Sequence, residues 1–131
     1  MRSRPTILFH SPDARPVPAV LRRWAEVRGF PVLEFRRGAE LESIVLRGAS
    51  CLIFLDGDET GADGLAMVRR LKADAFTAIV PAVVLSGTHA PERVGEWFAA
   101  GADEVITGFF APAEQRARLD AMLVRTERDV S

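Results

Sequence analysis

The sequence is poor in the residues that usually announce chemistry. Its one cysteine, Cys51, cannot form an internal disulfide, and with only two histidines there is no Cys/His cluster for a structural zinc site. Cys51 opens the apolar stretch Cys51-Leu52-Ile53-Phe54-Leu55, where it reads as a small buried hydrophobe. Glycine is missing from Ser11-Pro12-Asp13-Ala14, the segment after the first apolar run. Neither G-x-G-x-x-G nor a Walker loop occurs anywhere, so the common phosphate cradles of nucleotide-binding enzymes are excluded. There is no G-x-S-x-G elbow; His89 follows Ser86 closely, but that spacing predicts no hydrolase triad. His10 falls within an apolar run, where a partly buried, hydrogen-bonded histidine is the ordinary outcome. No apolar run approaches the roughly 20 residues of a membrane span. The start, Met1-Arg2-Ser3-Arg4-Pro5, leads into nothing like a signal peptide, so a cytoplasmic location is expected. A net charge of −1 argues against a nucleic-acid-binding basic face on this domain. Lysine is nearly absent: Lys72 is the only one.

What is present is regular. A length of 131 residues suits one domain, 1–131, with an ordered core over about 5–126. The apolar runs Thr6–His10, Pro31–Phe35, Cys51–Leu55 (ending at Asp56), Ala78–Leu85 (with Pro81 near the start of the strand) and the weaker Asp103–Thr107 read as strands. Between them lie stretches of helical period. The first starts near Pro18, buries Val20, Leu21, Trp24 and Val27, and ends at Gly29. The second, Ala39–Arg47, carries Leu41, Ile44 and Val45 and stops at Gly48. After Asp56 a polar loop, Gly57-Asp58-Glu59-Thr60-Gly61, is expected before a helix with Leu65, Val68 and Leu71. Pro91 opens a fourth helix with Val94, Trp97 and Phe98, closed by Gly101; a fifth runs from about Pro112 to Arg125, and Glu127–Ser131 are expected to fray. Such alternation predicts an α/β domain, a parallel sheet with helices on both faces. Chemistry in open sheets of this kind sits beyond the carboxyl ends of the strands. That singles out Ser11 to Asp13, Asp56 to Asp58, Ser86-Gly87 and Thr107-Gly108.

Those positions carry a resemblance. Phe54-Leu55-Asp56 followed seven residues on by Asp63-Gly64-Leu65, the strand Val80-Pro81-Ala82-Val83-Val84-Leu85-Ser86-Gly87, the turn Ala99-Ala100-Gly101-Ala102-Asp103-Glu104, and Gly29-Phe30 come in the order and spacing of bacterial response regulator receiver domains. Over nearly its whole length the chain resembles that family, as an atypical member related in plan to chemotaxis regulators. The resemblance implies a flavodoxin-like, doubly wound fold: five parallel strands in the order 2-1-3-4-5.

It also implies a site. A carboxylate that attacks a phosphoryl group needs a hard dication to neutralise the approach and fixed donors for the phosphoryl oxygens. By resemblance Asp56 is the phosphoacceptor and Ser86 the phosphate-contacting hydroxyl. Asp13, Asp56 and the backbone carbonyl of Asp58 would hold a weakly bound Mg2+. The departures are as informative. Counting back from Gly29 puts Pro12 and Asp13 at the family's acidic pair; aligning the first strand puts Ser11 and Pro12 there. The first count is preferred because it needs no insertion before the helix. Gly108-Phe109-Phe110 replaces the family's Lys-Pro-Phe, Lys72 lies on the third helix far from that end, and the aromatic switch position is Val105.

Plainer roles stand beside these. Asp56 could cap a helix or loop, Asp13 could cap the first helix, and Ser86 could satisfy a turn. Trp97 is preferred over Phe98 as an exposed anchor and, with Val105, marks an interaction surface on the helix 4–strand 5–helix 5 side. Two functions remain, neither enzymatic. One is a two-component (phosphorelay) receiver, phosphorylated on Asp56 by a histidine kinase or phosphotransfer protein and acting on a downstream signalling protein. The other is a phosphorylation-independent pseudo-receiver that works by protein interaction or as a homodimer through that same side. No membrane partner is expected.

Overall fold

A computed structural model describes residues 4–130 other than 14, 49, 88, 89 and 109–111, and excludes the side chains of 59, 61, 112 and 127–130. Strands and helices alternate: β1 (Thr6–His10), α1 (Ala19–Arg28), β2 (Val32–Phe35), α2 (Ala39–Leu46), β3 (Cys51–Asp56), α3 (Gly57–Ala73), β4 (Ala82–Ser86), α4 (Pro91–Ala100), β5 (Glu104–Thr107) and α5 (Pro112–Val130). All pairings are parallel and the strand order is β2-β1-β3-β4-β5, the expected doubly wound sheet. The central strands are covered on both faces, which is why they read as continuous apolar runs. Alternate residues feed two cores. Ile7, Phe9, Leu52, Phe54 and Val83 pack with Leu21, Trp24, Leu119 and Met122 on one side. Leu8, Ile53, Leu55 and Val84 pack with Leu41, Val68, Leu71 and Trp97 on the other.

Four expectations need correction. In α1 the buried residues are Leu21, Trp24 and Ala25, whereas Val27 is 78% exposed. At helical pitch Val27 turns roughly 120° away from Leu21, off the stripe that Leu21 and Ala25 define. β4 begins at Ala82, beside Pro81 as expected, so only the second half of the region from Ala78 is strand; Ala78 to Val80 form a turn whose Ala78 and Val80 carbonyls accept from Lys72 Nζ at 3.0 and 2.8 Å. α5 continues past Arg125 to Val130.

The fourth correction matters for function. No loop separates Asp56 from α3, which starts at Gly57. Asp56 caps it: its carboxylate accepts the Asp58 N–H at 3.0 Å, satisfying one of the orphan donors of the first turn. Thr60 Oγ1 donates to the Asp56 carbonyl at 2.6 Å. The Asp58 carboxylate in that first turn suits the positive end of the helix dipole. The helix can start so close to the sheet only because residue 57 is glycine. A Cβ there would lie 2.9 Å from Val84 Cγ1 and 3.2 Å from the Leu85 carbonyl oxygen.

Candidate functional site

The register of the sheet assembles the site. Asp56 closes β3 level with Leu85, so Ser86 sits one step further along the neighbouring strand. His10 pairs with Leu55, which brings Ser11 level with Asp56 on the other side. A shallow cleft at this edge is lined by His10, Ser11, Asp13, Arg15, Asp56 and Thr60, among others.

Burial pushes the Asp56 carboxyl above its ordinary value of 3.8. The Asp58 N–H and the Arg15 guanidinium work against that rise, and the Asp58 charge adds to it. Ser86 is buried and donates from Oγ to Asp58 Oδ1 at 3.2 Å, while the Gly87 N–H donates to Asp58 Oδ2 at 2.8 Å. The Asp58 side chain therefore bridges the ends of β3 and β4. Its backbone carbonyl, expected to ligate metal, lies within the hydrogen-bonding frame of α3 rather than in a free loop.

On the β1 side, Ser11 is buried and donates to the Arg15 carbonyl at 2.6 Å. The Asp13 side chain is 65% exposed and lies 3.7 Å from Arg15 Nε. The register thus sets Ser11, not an acid, beside Asp56, and Asp13 reaches the cleft from its mouth. His10 is buried against Phe35, with ring centroids 5.2 Å apart. Burial lowers its pKa below 6.5, against the upward pull of a hydrogen bond to the Arg36 backbone and of the Asp63 and Asp13 charges. Among the described residues no group of three or more His, Cys, Asp and Glu is arranged to hold a metal ion.

Beyond β5, Gly108 takes a left-handed φ of +65° where the family lysine would stand. Arg118 of α5 hydrogen-bonds the Thr107 carbonyl and reaches Glu114 at 2.7 Å. Lys72 is held at the opposite edge of the sheet. His89, Phe109 and Phe110 lie outside the described residues.

Trp97 is corrected: it is 4% exposed, and its neighbour Phe98, at 49%, is the exposed aromatic of α4. The reason lies in α3. A Cβ at Gly64 would collide with Thr60 Oγ1 and come within 2.8 Å of the Trp97 ring, and one at Gly57 within 3.2 Å of it. The two glycines open the slot that the indole fills, so the glycine of the Asp63-Gly64 pair serves packing. Val105 is partly buried against the same core. Sequence reasoning missed the Asp58 side chain as a bridge and Arg15 as a charge bearing on Asp56. The second had one sign in the sequence: Arg15 follows Asp13 by two residues in the loop that must cross the strand ends.

A parallel five-stranded sheet with a half-buried carboxylate ending its central strand, and a buried hydroxyl ending the next, defines a flavodoxin-like domain of receiver type. No family model matches the chain. It is 31% identical over 114 residues to the phosphate regulon transcriptional regulatory protein PhoB of Pseudomonas aeruginosa, covering 87% of this chain and 50% of that protein. It is 30% identical over 103 residues to the DNA-binding dual master transcriptional regulator RpaA of Synechocystis, covering 79% and 43%. The chain spans about half the length of the curated relatives it matches. Among solved structures it superposes on the receiver domain of a signal transduction histidine kinase from Syntrophus aciditrophicus with a TM-score of 0.69 and 24% identity, over 97% of this chain and 92% of that one. The receiver domain of sensor histidine kinase PA1611 from Pseudomonas aeruginosa, described with magnesium in its active-site cleft, gives a TM-score of 0.68 at 21% identity over 92% and 95%. The relatives that the chain matches in sequence are response regulators, and the structures that share its fold are response regulator receiver domains.

Proposed function

We propose that this domain is an atypical receiver of a bacterial two-component system, with Asp56 as the phosphoacceptor. One observation carries the reading: the Asp56 carboxylate, the Asp58 N–H, the Ser86 hydroxyl and the Gly87 N–H meet where β3 and β4 end. An Asp56 oxygen attacks the phosphorus of a phospho-histidine on a histidine kinase or phosphotransfer protein. The new O–P bond forms as the N–P bond breaks, and the imidazole leaves with its electron pair. Ser86 and the two N–H groups then face the charge on the phosphoryl oxygens.

Magnesium typically binds one or two carboxylates and keeps several waters. Asp13 and Asp56, the two carboxylates lining the cleft, suit such a site weakly, with Arg15 competing for the same charge. A bound dication would neutralise the approach of the anionic donor. Where the family lysine is replaced by Gly108, loss of a fixed donor costs about 3 kcal/mol of transition-state stabilisation, so transfer is slow. Output passes to a downstream signalling protein or a second copy through the α4–β5–α5 side, where Val105 and the exposed Phe98 lie.

Incubation with acetyl phosphate and magnesium, followed by intact-mass measurement beside Asp56→Ala, tests this. A gain of about 80 Da in the parent and none in the variant is expected. No gain in a folded parent would favour a pseudo-receiver that signals by interaction alone, a reading supported by Gly108 and by Ser11 and Pro12 in place of acids.

A further inference from the structure

We infer that the Asp58 carboxylate is a built-in competitor for the phosphoryl group: it occupies the donors a phosphorylated Asp56 would need and so gates phosphorylation of this domain. The inference rests on the reading of Asp56 as phosphoacceptor. Its basis is the pairing of each carboxylate oxygen with a separate donor of β4, Oδ1 with the Ser86 hydroxyl at 3.2 Å and Oδ2 with the Gly87 N–H at 2.8 Å. Those are two oxyanion positions of the kind a phosphoryl group presents. Meanwhile the Asp58 N–H stays on Asp56 at 3.0 Å, so one residue holds the phosphoacceptor with its backbone and covers the donors with its side chain.

The backbone fixes this posture. Because α3 starts at once after β3 and Gly57 lets it press against Val84 and the Leu85 carbonyl, residue 58 is carried over the end of β4. A phosphoryl group brings nearly two negative charges to the same place. It cannot share the donors with a carboxylate, so Asp58 must swing out into solvent, where its exposed side chain has room to go. Until then Ser86 is held as it would be by a phosphoryl oxygen, which keeps the β4 end in one arrangement whether or not Asp56 is modified.

The test compares the parent with Asp58→Ala and Asp58→Asn on two readouts. The first is the Gly87 amide, by NMR shift and hydrogen exchange; the second is the rate of phosphoryl gain from acetyl phosphate and magnesium by intact mass. The alanine variant is expected to move the Gly87 amide upfield, speed its exchange and raise the phosphorylation rate about tenfold, the loss of roughly one charge-assisted hydrogen bond's worth of competition. Asparagine, which keeps an acceptor but not the charge, should fall between. An unmoved Gly87 amide in the alanine variant would overturn the competitor while leaving Asp56 as phosphoacceptor to its own assay. Equal or slower phosphorylation of the alanine variant, with the amide moved, would overturn the gate. A moved amide with no phosphoryl gain in any chain would overturn the phosphoacceptor reading, and the gate with it.

Discussion

The two edges of this sheet hold similar charges in opposite ways. At the amino edge, Lys72 Nζ lies 2.6 Å from Asp103 and also donates to the Ala78 and Val80 carbonyls. Asp103 in turn accepts the Ala82 N–H at 2.7 Å. The lysine has three fixed acceptors and Asp103 Oδ2 two fixed donors, and together they tie the starts of β4 and β5 to the end of α3. At the carboxyl edge, Asp56 is partly desolvated and has the Asp58 charge as a like-charged neighbour, with the Asp58 N–H and Arg15 pulling in its favour without offsetting its burial. One lysine serves the whole chain, and it stands at the edge where it builds structure. Charges that hold the fold are matched; those at the proposed site are kept under tension.

The largest effect expected is on what underlies the carboxyl edge. Trp97 fills the slot between Gly57 and Gly64 and so props the start of α3 that carries Asp58. Trp97→Ala should cost about 3–5 kcal/mol in urea unfolding, whereas Phe98→Ala should cost under about 0.5 kcal/mol. Equal losses would mean that Phe98 shares the slot, and the account of the two glycines would fail.

How much of this could be read in advance follows from the range of the forces involved. β1 is found at Thr6–His10 and β3 at Cys51–Asp56, as their apolar runs predict, because burial on both faces writes itself into consecutive residues. The choice between Trp97 and Phe98 does not: adjacent helical residues differ by roughly 100°, and the slot that decides is made by glycines more than thirty positions away. The start of α3 was masked for a related reason. Gly-Asp-Glu-Thr-Gly after a strand has the composition of a loop, and the bond that the Asp58 N–H donates back to the Asp56 carboxylate makes it the start of a capped helix. Asp56 as a cap and Asp56 as a site residue are compatible, since the N–H that it accepts is the donor nearest its own carboxylate. Counting from Gly29 places Pro12 and Asp13 at the acidic pair and aligning the first strand places Ser11 and Pro12 there; the strand register, which sets Ser11 beside Asp56, agrees with the second count.

A middle-sized effect tests the amino edge. Lys72→Met keeps most of the stem but strips the Asp103 carboxylate and two carbonyls of their donor. A loss of about 2 kcal/mol is expected, with an unchanged denaturant slope. Acetyl phosphate reactivity at Asp56 should be untouched, because the two edges share no partner. A stability loss within experimental error would make the pair a surface contact of no weight and remove the contrast.

The smallest effect has the opposite sign and is the sharpest check. Burial holds the Asp56 carboxyl above 3.8, so its charged form is worse off in the fold than in the unfolded chain. That penalty is complete at pH values above the raised folded pKa. It fades as pH falls through that value and is gone below 3.8, where both states are protonated. Asparagine caps a helix about as well as aspartate and carries no charge. Asp56→Asn should therefore be more stable than the parent by about 1 kcal/mol at pH 7, the usual gain when a site residue is neutralised. The two unfolding midpoints should converge on acidification. The same exchange at the other edge, Asp103→Asn, should lower stability at pH 7, since it leaves Lys72 without its carboxylate. If Asp56→Asn is the less stable protein at pH 7, the Asp58 N–H and Arg15 outweigh burial. Asp56 would then be a structural cap matched as fully as Asp103, and the two edges would not differ in kind.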